Sequence, residues 1–167
     1  MEPPCRGKGS VHLGAKRAAW QRAASGTSDV IWPIHHLDLV VTDLERSVAF
    51  YQELLGWTES GEILGERGER VVYVWPPDRD GAGSIGLRAA QSDPHSIPYE
   101  RYSVGMHHLA FNASSRDEVD ERFAWLQERG AEIETGPREY DYTPGYYAVF
   151  FYDPDGLKLE LVHRPGS

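Results

Sequence analysis

Two pairs of adjacent histidines and one glutamate are the residues of this sequence best suited to metal chemistry. His35-His36 and His107-His108 each open a segment in which apolar and polar residues alternate. A neutral imidazole can bind a divalent ion, although a histidine on a strand is more often a hydrogen-bonded structural residue. Glu160 lies in an apolar strand-like run, where an unpaired carboxylate is costly, so its presence calls for a cation nearby. A metal ion and the guanidinium of Arg88 are the two candidates.

The hydrophobic pattern predicts the elements that carry these residues. Residues 34–41 alternate as a half-buried strand does, with the apolar residues on one face and His36 and Asp38 on the other. Thr42 and Glu45 then have the spacing of a capping box, and apolar residues recur at helical intervals until Gly56. Strand-like stretches follow near 57–63, 69–75 and 83–89. The first part of the chain is therefore predicted to be a βαβββ unit.

The same order of elements restarts in the second half of the chain. A strand is predicted over 106–112 and includes His108. Ser115 and Glu118 form a second capping-box pattern, and Gly130 ends the second helical pattern. His36 and His108 are 72 positions apart, and Gly86 and Glu160 are 74 apart. Such a nearly constant offset indicates two copies of one supersecondary unit. We expect a flexible tail at 1–30 and one domain at 31–167, built from module one (31–90), a linker (91–103) and module two (104–165).

Composition and charge limit the possible partners. The chain has 167 residues and a formal net charge of −9, with +3 on residues 1–30 and −12 on residues 31–167. An acidic domain is a poor surface for nucleic acid, and no apolar run approaches the ~18 residues of a membrane span. Residues 1–30 lack the apolar stretch of a secretory signal, and helix propensity favours at most a short helix at 14–24. The single cysteine, Cys5, cannot form an internal disulfide, so we expect a cytoplasmic protein.

Several motifs in this order resemble the vicinal oxygen chelate superfamily, which includes glyoxalase I, extradiol dioxygenases, fosfomycin-resistance enzymes and bleomycin-resistance proteins. The resemblance covers roughly 34–163. It rests on these segments: His36 to Asp43, Ser47 with Phe50-Tyr51, Leu55-Gly56, His108 to Phe111, Asp153 to Gly156, and Leu159 to Leu161. It implies an α+β fold in which two βαβββ modules form an eight-stranded cup with the helices outside. It also implies a divalent metal ion, Fe, Mn, Zn, Ni or Co, bound by His36, His108 and Glu160. Strand alternation agrees, since it places all three on polar strand faces.

The chain also departs from individual members of that superfamily. Glyoxalase I takes a fourth protein ligand, and the repeat places Gly86 at that position. The histidine and tyrosine of the extradiol dioxygenases are replaced by the 141–143 segment and Phe150. The fosfomycin-resistance enzymes carry a threonine where this chain has Asp38. Bleomycin-resistance proteins usually bind their drug without these metal ligands, so the trio argues against pure sequestration.

Strand alternation suggests further residues around the cup. Asp38 is in phase with His36 and is a candidate general base, with a salt-bridged carboxylate as the alternative. Arg88 is a candidate for binding an anionic substrate group, or for neutralising Glu160 or Asp38. Substrate contacts are expected from Asn112, Phe150 and Tyr152, the last two as an aromatic wall. The first histidines of the two pairs are expected on the opposite strand face, in structural roles.

Two functional hypotheses follow for a small-molecule substrate. The first is a metal-dependent enzyme of lyase, isomerase or dioxygenase type, in which the ion chelates two substrate oxygens and stabilises an oxyanion. The second is an antibiotic-binding protein without catalysis. The superfamily resemblance implies a homodimer, because its members commonly pair or exchange modules.

Overall fold

The computed structural model describes residues 34–77, 83–92 and 99–165 of the chain. The expected tail at 1–30, the short helix at 14–24 and Cys5 lie outside these residues. The elements in chain order are β1 (His36–Val41), α1 (Leu44–Leu55), β2 (Glu59–Leu64), β3 (Arg70–Trp75), β4 (Ser84–Ala89), β5 (Leu109–Asn112), α2 (Arg116–Glu128), β6 (Ile133–Glu139), β7 (Tyr147–Tyr152) and β8 (Lys158–His163). This order is βαβββ twice, as the internal repeat predicts.

The eight strands form two separate four-stranded sheets. The first has the order β1-β4-β3-β2, and the second has the order β5-β8-β7-β6. In each sheet the first and last strands of the module, β1 with β4 and β5 with β8, are parallel neighbours, and the other pairs are antiparallel. The α+β class and the two modules are confirmed, while the eight strands do not join into one continuous sheet within the chain.

Both helices begin at an N-cap side chain that accepts from the amide three residues on, but only one of the two predicted caps is correct. Asp43, and not Thr42, is the N-cap of α1, and its side chain accepts a hydrogen bond from the amide of Arg46 at 3.1 Å. The expectation for Thr42 was wrong because its hydroxyl donates to Asp155 of module two instead. In α2 the predicted cap is correct, since Ser115 accepts from the amide of Glu118 at 3.0 Å. Gly56 adopts the left-handed conformation, φ 65°, that ends α1.

The larger of two buried apolar clusters lies between the sheets and the helices, and the smaller one, around Ala148, Phe150 and Val162, is on the other face of the second sheet. The apolar faces of β1, β3, β4, β7 and β8 turn towards the larger cluster together with residues of both helices. Leu39 and Val41 are buried in it, whereas Val40 between them is 64% exposed. The alternation read from the sequence therefore places the polar faces of both sheets away from the core. None of the helices in the described ranges is long and apolar enough to cross a membrane.

The turn at 153–156, between β7 and β8 of module two, contacts helix α1 of module one. The buried hydroxyl of Tyr51 on α1 donates to Oδ2 of Asp153 at 2.8 Å. Oδ1 of Asp153 accepts from the amides of Asp155 and Leu157 at 2.9 and 2.8 Å, so this one carboxylate also fixes the turn. Arg46 of α1 pairs with Asp155 at 3.2 Å. These contacts hold helix α1 against the loop that leads into β8.

Candidate functional site

His108 and Glu160 come together on the polar face of the second sheet. Nε2 of His108 lies 3.0 Å from Oε2 of Glu160, and the Glu160 residue is only 1% exposed. The hydroxyl of Tyr146 donates to the other carboxylate oxygen at 2.6 Å. Burial and the hydrogen bond to Glu160 raise the pKa of Tyr146, so it remains a protonated donor. Arg88 does not supply the cation that the buried Glu160 carboxylate requires.

These groups open into a cavity of about 420 Å³ lined by aromatic and charged side chains. Phe150 forms one wall, with its ring centroid 5.8 Å from that of His108. Tyr140 and Tyr142 stack at 5.3 Å and, with Tyr146, supply three phenol rings to the lining. Of Phe150 and Tyr152, from which an aromatic wall was expected, Phe150 lines this cavity and Tyr152 does not. The cavity has the size and lining of a small-molecule site.

A charged cluster borders the cavity beside Phe150. Lys158 is buried, and its Nζ lies 2.7 Å from Glu134 and 4.5 Å from the centroid of the Phe150 ring. Tyr152 donates to Glu134 at 2.6 Å, and Arg101 pairs with the same carboxylate. Although burial raises the pKa of Glu134, hydrogen bonds from Lys158, Tyr152 and Arg101 outweigh it and lower that pKa to about 2. The hydroxyl of Tyr152 is thus hydrogen-bonded within this cluster.

Both histidine pairs share one local geometry. Nδ1 of His107 lies 2.7 Å from Nδ1 of His108, and Nδ1 of His35 lies 2.9 Å from Nδ1 of His36. In each pair this contact leaves Nε2 of the second histidine free to face another group. His107 lines the same cavity as His108, contrary to the expected opposite face. The expectation was wrong because His107 and His108 precede β5, so strand alternation does not apply to them.

His36 lies on the first sheet, apart from His108 and Glu160. Its ring is exposed and meets Tyr73 edge to face at 5.7 Å. In the described parts of the chain, no group of three or more histidine, cysteine, aspartate or glutamate side chains is close enough to hold one metal ion. The expected trio is therefore divided between two sheets, and the structure brings together only His108 and Glu160.

Asp38 and Arg88 form an ion pair on the same face as His36. Arg88 also pairs with Glu69 at 3.0 Å, and the hydroxyl of Tyr73 lies 3.5 Å from Oδ2 of Asp38. Of the alternatives for Arg88, neutralisation of Asp38 is the one observed, and neutralisation of Glu160 is not. Asp38 is correspondingly the salt-bridged carboxylate that was the alternative to a general base.

Asn112 borders a different cavity. It lines an apolar groove of about 630 Å³ that is also bordered by Leu37 of β1 and by Leu109 and Phe111 of β5. It does not line the cavity of His108.

Sequence reasoning missed Lys158 and Glu134 as site residues. Lys158 is in phase with Glu160 on β8, which was the available signal, but a lysine is rarely buried. Glu134 becomes significant only through partners that are distant in the sequence, so no local signal marks it.

The fold and the site together define a class of protein. Two βαβββ modules carry imidazole and carboxylate groups on their open sheet faces, and one of these faces holds a small aromatic cavity. This is the architecture of a two-module α+β protein whose second module has a cavity of small-molecule size.

The comparisons with known proteins agree with this class. A sequence profile described as Glyoxalase/Bleomycin resistance protein/Dioxygenase superfamily matches residues 33–161. The chain belongs to this superfamily. It is 36% identical over 131 residues to the uncharacterized protein YwkD of Bacillus subtilis, covering 78% of this chain and 96% of YwkD. It is 31% identical over 128 residues to the metallothiol transferase FosB of Staphylococcus epidermidis, covering 77% of this chain and 81% of FosB.

A solved structure shares the fold. The glyoxylase/bleomycin resistance protein/dioxygenase domain from Frankia sp. EAN1pec matches with a TM-score of 0.68 and 27% sequence identity, over 83% of this chain and 96% of that chain.

Proposed function

We propose that this protein is a metal-dependent enzyme that acts on a small oxygenated substrate, with His36, His108 and Glu160 as metal ligands. The observation that carries the proposal is the contact between Nε2 of His108 and the buried carboxylate of Glu160 at 3.0 Å. Two atoms that each lie about 2.1 Å from one ion, at right angles, are about 3.0 Å apart. These two donor atoms are therefore spaced as two ligands of one first-row divalent ion would be. The similarity to FosB, a metallothiol transferase, supports the same class.

Each residue of the cavity has a defined part in this proposal. A bound divalent ion supplies Lewis acidity, which polarises a substrate oxygen. Glu160 provides negative charge, and the protonated hydroxyl of Tyr146 fixes its orientation. His107 holds the ring of His108 through Nδ1, which leaves Nε2 for the ion. Phe150 and the tyrosine rings give the cavity an aromatic lining on the substrate side. The acid–base role of Asp38 and the anion-binding role of Arg88 stay predictions, as do substrate contacts from Asn112 and Tyr152.

We propose further that the trio is completed between two copies of the chain. His36 is on the open face of the first sheet, and that face also exposes the apolar side chains of Val40 and Ile63, at 64% and 52%. Exposed apolar side chains on an open sheet face favour coverage by another protein surface. A homodimer that places this face of one copy over the His108 face of its partner provides that coverage and joins the three ligands. We place the enzyme in the cytoplasm because the single cysteine gives it no internal disulfide.

Elemental analysis of anaerobically purified protein tests the metal proposal. We expect about one first-row ion per chain in the wild type and none in His108→Ala. His163→Ala is the matched control: His163 is also on β8, and its ring contacts the carbonyl of Ala113 at 3.2 Å, away from Glu160. Iron would indicate dioxygenase chemistry, whereas nickel, zinc, cobalt or manganese would indicate lyase, isomerase or transferase chemistry. If neither the purified nor the reconstituted wild type binds metal, the proposal is wrong and antibiotic binding without catalysis replaces it.

Mixing two inactive variants tests whether the site is shared. In a dimer of one His36→Ala chain and one His108→Ala chain, one of the two shared sites keeps all three ligands. Refolding an equal mixture gives about half heterodimers, so we expect the mixture to recover about a quarter of the metal of the wild type, and the purified heterodimer about half. If the site lay within one chain, the mixture would recover none.

A further inference from the structure

The two modules carry their carboxylates on opposite members of the same cross-strand pair. In module two, Ala110 of β5 pairs with Glu160 of β8 in parallel register. The equivalent pair in module one is Asp38 of β1 with Gly86 of β4. In both modules the histidine precedes the β1 or β5 member of this pair by two residues. At this pair each module thus has one carboxylate, two positions after the second histidine or on the strand beside it. In module two the carboxylate is on β8, and in module one it is on β1 instead of β4.

The Asp38 side chain fills the space over Gly86, where a side chain on β4 would lie. A Cβ atom added at Gly86 would lie 2.1 Å from Oδ1 of Asp38, closer than any real contact. The carboxylate of Asp38 therefore occupies the volume that a side chain at position 86 would enter. A carboxylate on β4 and the observed position of Asp38 exclude each other.

The two oxygens of Asp38 have different surroundings. The Arg88 guanidinium and the hydroxyl of Tyr73 both reach Oδ2, while Oδ1 is the oxygen over Gly86. Arg88 shares its charge with Glu69, at 3.0 Å, so Asp38 is not its only counterion. Metal-binding carboxylates are commonly held by such an outer hydrogen bond. Among the described residues no hydrogen-bond donor reaches Oδ1, so this oxygen is available to a cation while Arg88 fixes the side chain.

We propose that Asp38 is a fourth protein ligand of the metal ion, in the place that Gly86 leaves empty. This rests on the proposed function, since it adds a ligand to His36, His108 and Glu160. The resulting set has two imidazoles and two carboxylates, and it balances the charge of a divalent ion. Arg88 is then a positioning residue for Asp38.

Metal affinity and the visible spectrum of the Co(II)-loaded protein test the assignment. Asp38→Ala is expected to lower the affinity for Co(II) by roughly 100-fold, at the upper end of the loss seen when an outer-shell partner is removed. Its d–d absorption bands should also change, because the number of protein ligands changes. Glu69→Gln is the matched control, since it removes the other negative partner of Arg88 without removing a ligand. We expect it to leave the spectrum unchanged and the affinity within about tenfold.

The double variant Asp38→Ala/Gly86→Glu tests the exchange itself. It returns the carboxylate to β4, as in module two, and removes the Asp38 oxygen that blocks Gly86. The ring of Tyr73, whose Cε1 lies 2.7 Å from the new Cβ, must shift to admit it. We expect the double variant to regain most of the affinity that Asp38→Ala loses. If it binds no better than Asp38→Ala, the exchange is wrong.

The remaining outcomes separate this inference from the function on which it rests. If His108→Ala loses Co(II) but Asp38→Ala keeps wild-type affinity and spectrum, Asp38 is not a ligand and the three-ligand proposal stands. An equal loss in Glu69→Gln would assign the effect to the charge of Arg88 and overturn the inference. A wild type that binds no metal overturns both. Asp38→Asn, which keeps the shape of the side chain, replaces Asp38→Ala if circular dichroism shows that the alanine variant does not fold.

Discussion

Replacing Tyr51 by phenylalanine should weaken the contact between the two modules. The Tyr51 hydroxyl and Oδ2 of Asp153 are 2.8 Å apart, and the two residues are 0% and 6% exposed. Phenylalanine keeps the packing of the ring, so the change removes the hydrogen bond and creates almost no cavity. The loss in free energy of unfolding therefore measures how much this one hydrogen bond stabilises the buried Asp153 carboxylate.

The structure sets the expected size of the effect. Hydrogen bonds to charged groups contribute about 1.5–3 kcal/mol to stability. Asp153 keeps two backbone donors on Oδ1, so its charge is not left without partners. We therefore expect Tyr51→Phe to lower the free energy of unfolding by about 2 kcal/mol, which for a domain of this size lowers the Tm by about 6–8 °C.

The pH dependence of the effect has a definite sign. Burial raises the pKa of Asp153 above its usual value, and the hydrogen bond from Tyr51 opposes that rise. Without the hydroxyl the native pKa rises further, so the native variant binds its proton more tightly than the wild type does. The difference in free energy of unfolding between wild type and variant is therefore largest above the native Asp153 pKa of the variant. It decreases as the pH falls towards the usual range of aspartate.

Urea unfolding of both proteins between pH 3.5 and pH 8 measures this difference. Tyr147→Phe is the matched control, because Tyr147 donates to Asp120 at 2.7 Å in an exposed pair. We expect that control to lose less than about 0.5–1 kcal/mol, since water replaces the lost partner. Equal losses in the two variants, or a loss at Tyr51 that does not depend on pH, would refute the reasoning.

Three further perturbations test separate parts of the structure. Tyr146→Phe removes the donor to Glu160 and should weaken metal binding by about 10-fold or more in equilibrium dialysis. An unchanged metal affinity would show that Tyr146 does not position Glu160. Gly86→Ala forces a Cβ against Asp38 and should cost about 1–3 kcal/mol in chemical unfolding, a loss that a wild-type unfolding curve would contradict. Glu134 has its pKa lowered to about 2, so its contribution to stability is present above the unfolded pKa of 4.5 and is lost as the pH falls towards 2. Glu134→Gln should flatten that part of the stability profile, and an unchanged profile would argue against the cluster.

Local patterns predict the modules but not how the site is divided between them. Period-two alternation places His36 and Glu160 on polar strand faces, and the structure agrees because one face of each sheet packs on the core. Alternation assigns a residue to one face of its own strand but does not say how the two sheets are arranged. It therefore could not reveal that His36 lies apart from His108. His107 was misplaced because β5 begins only at Leu109. The N-cap of α1 was misplaced because Asp155, more than a hundred residues away, takes the hydroxyl of Thr42.

The pair formed by Asp38 and Gly86 also restricts the substitutions by which one module arrangement can change into the other. A pair with a carboxylate on both strands is crowded, since a Cβ at position 86 would meet Oδ1 of Asp38 at 2.1 Å and the Asp38 side chain would have to move. Stepwise conversion in either direction passes through this crowded pair or through a pair with no carboxylate, as with alanine at 38 and glycine at 86. On the proposed role of Asp38, we expect both intermediates to be less favourable than the two end states. Among homologues, residues 38 and 86 should therefore vary together rather than independently.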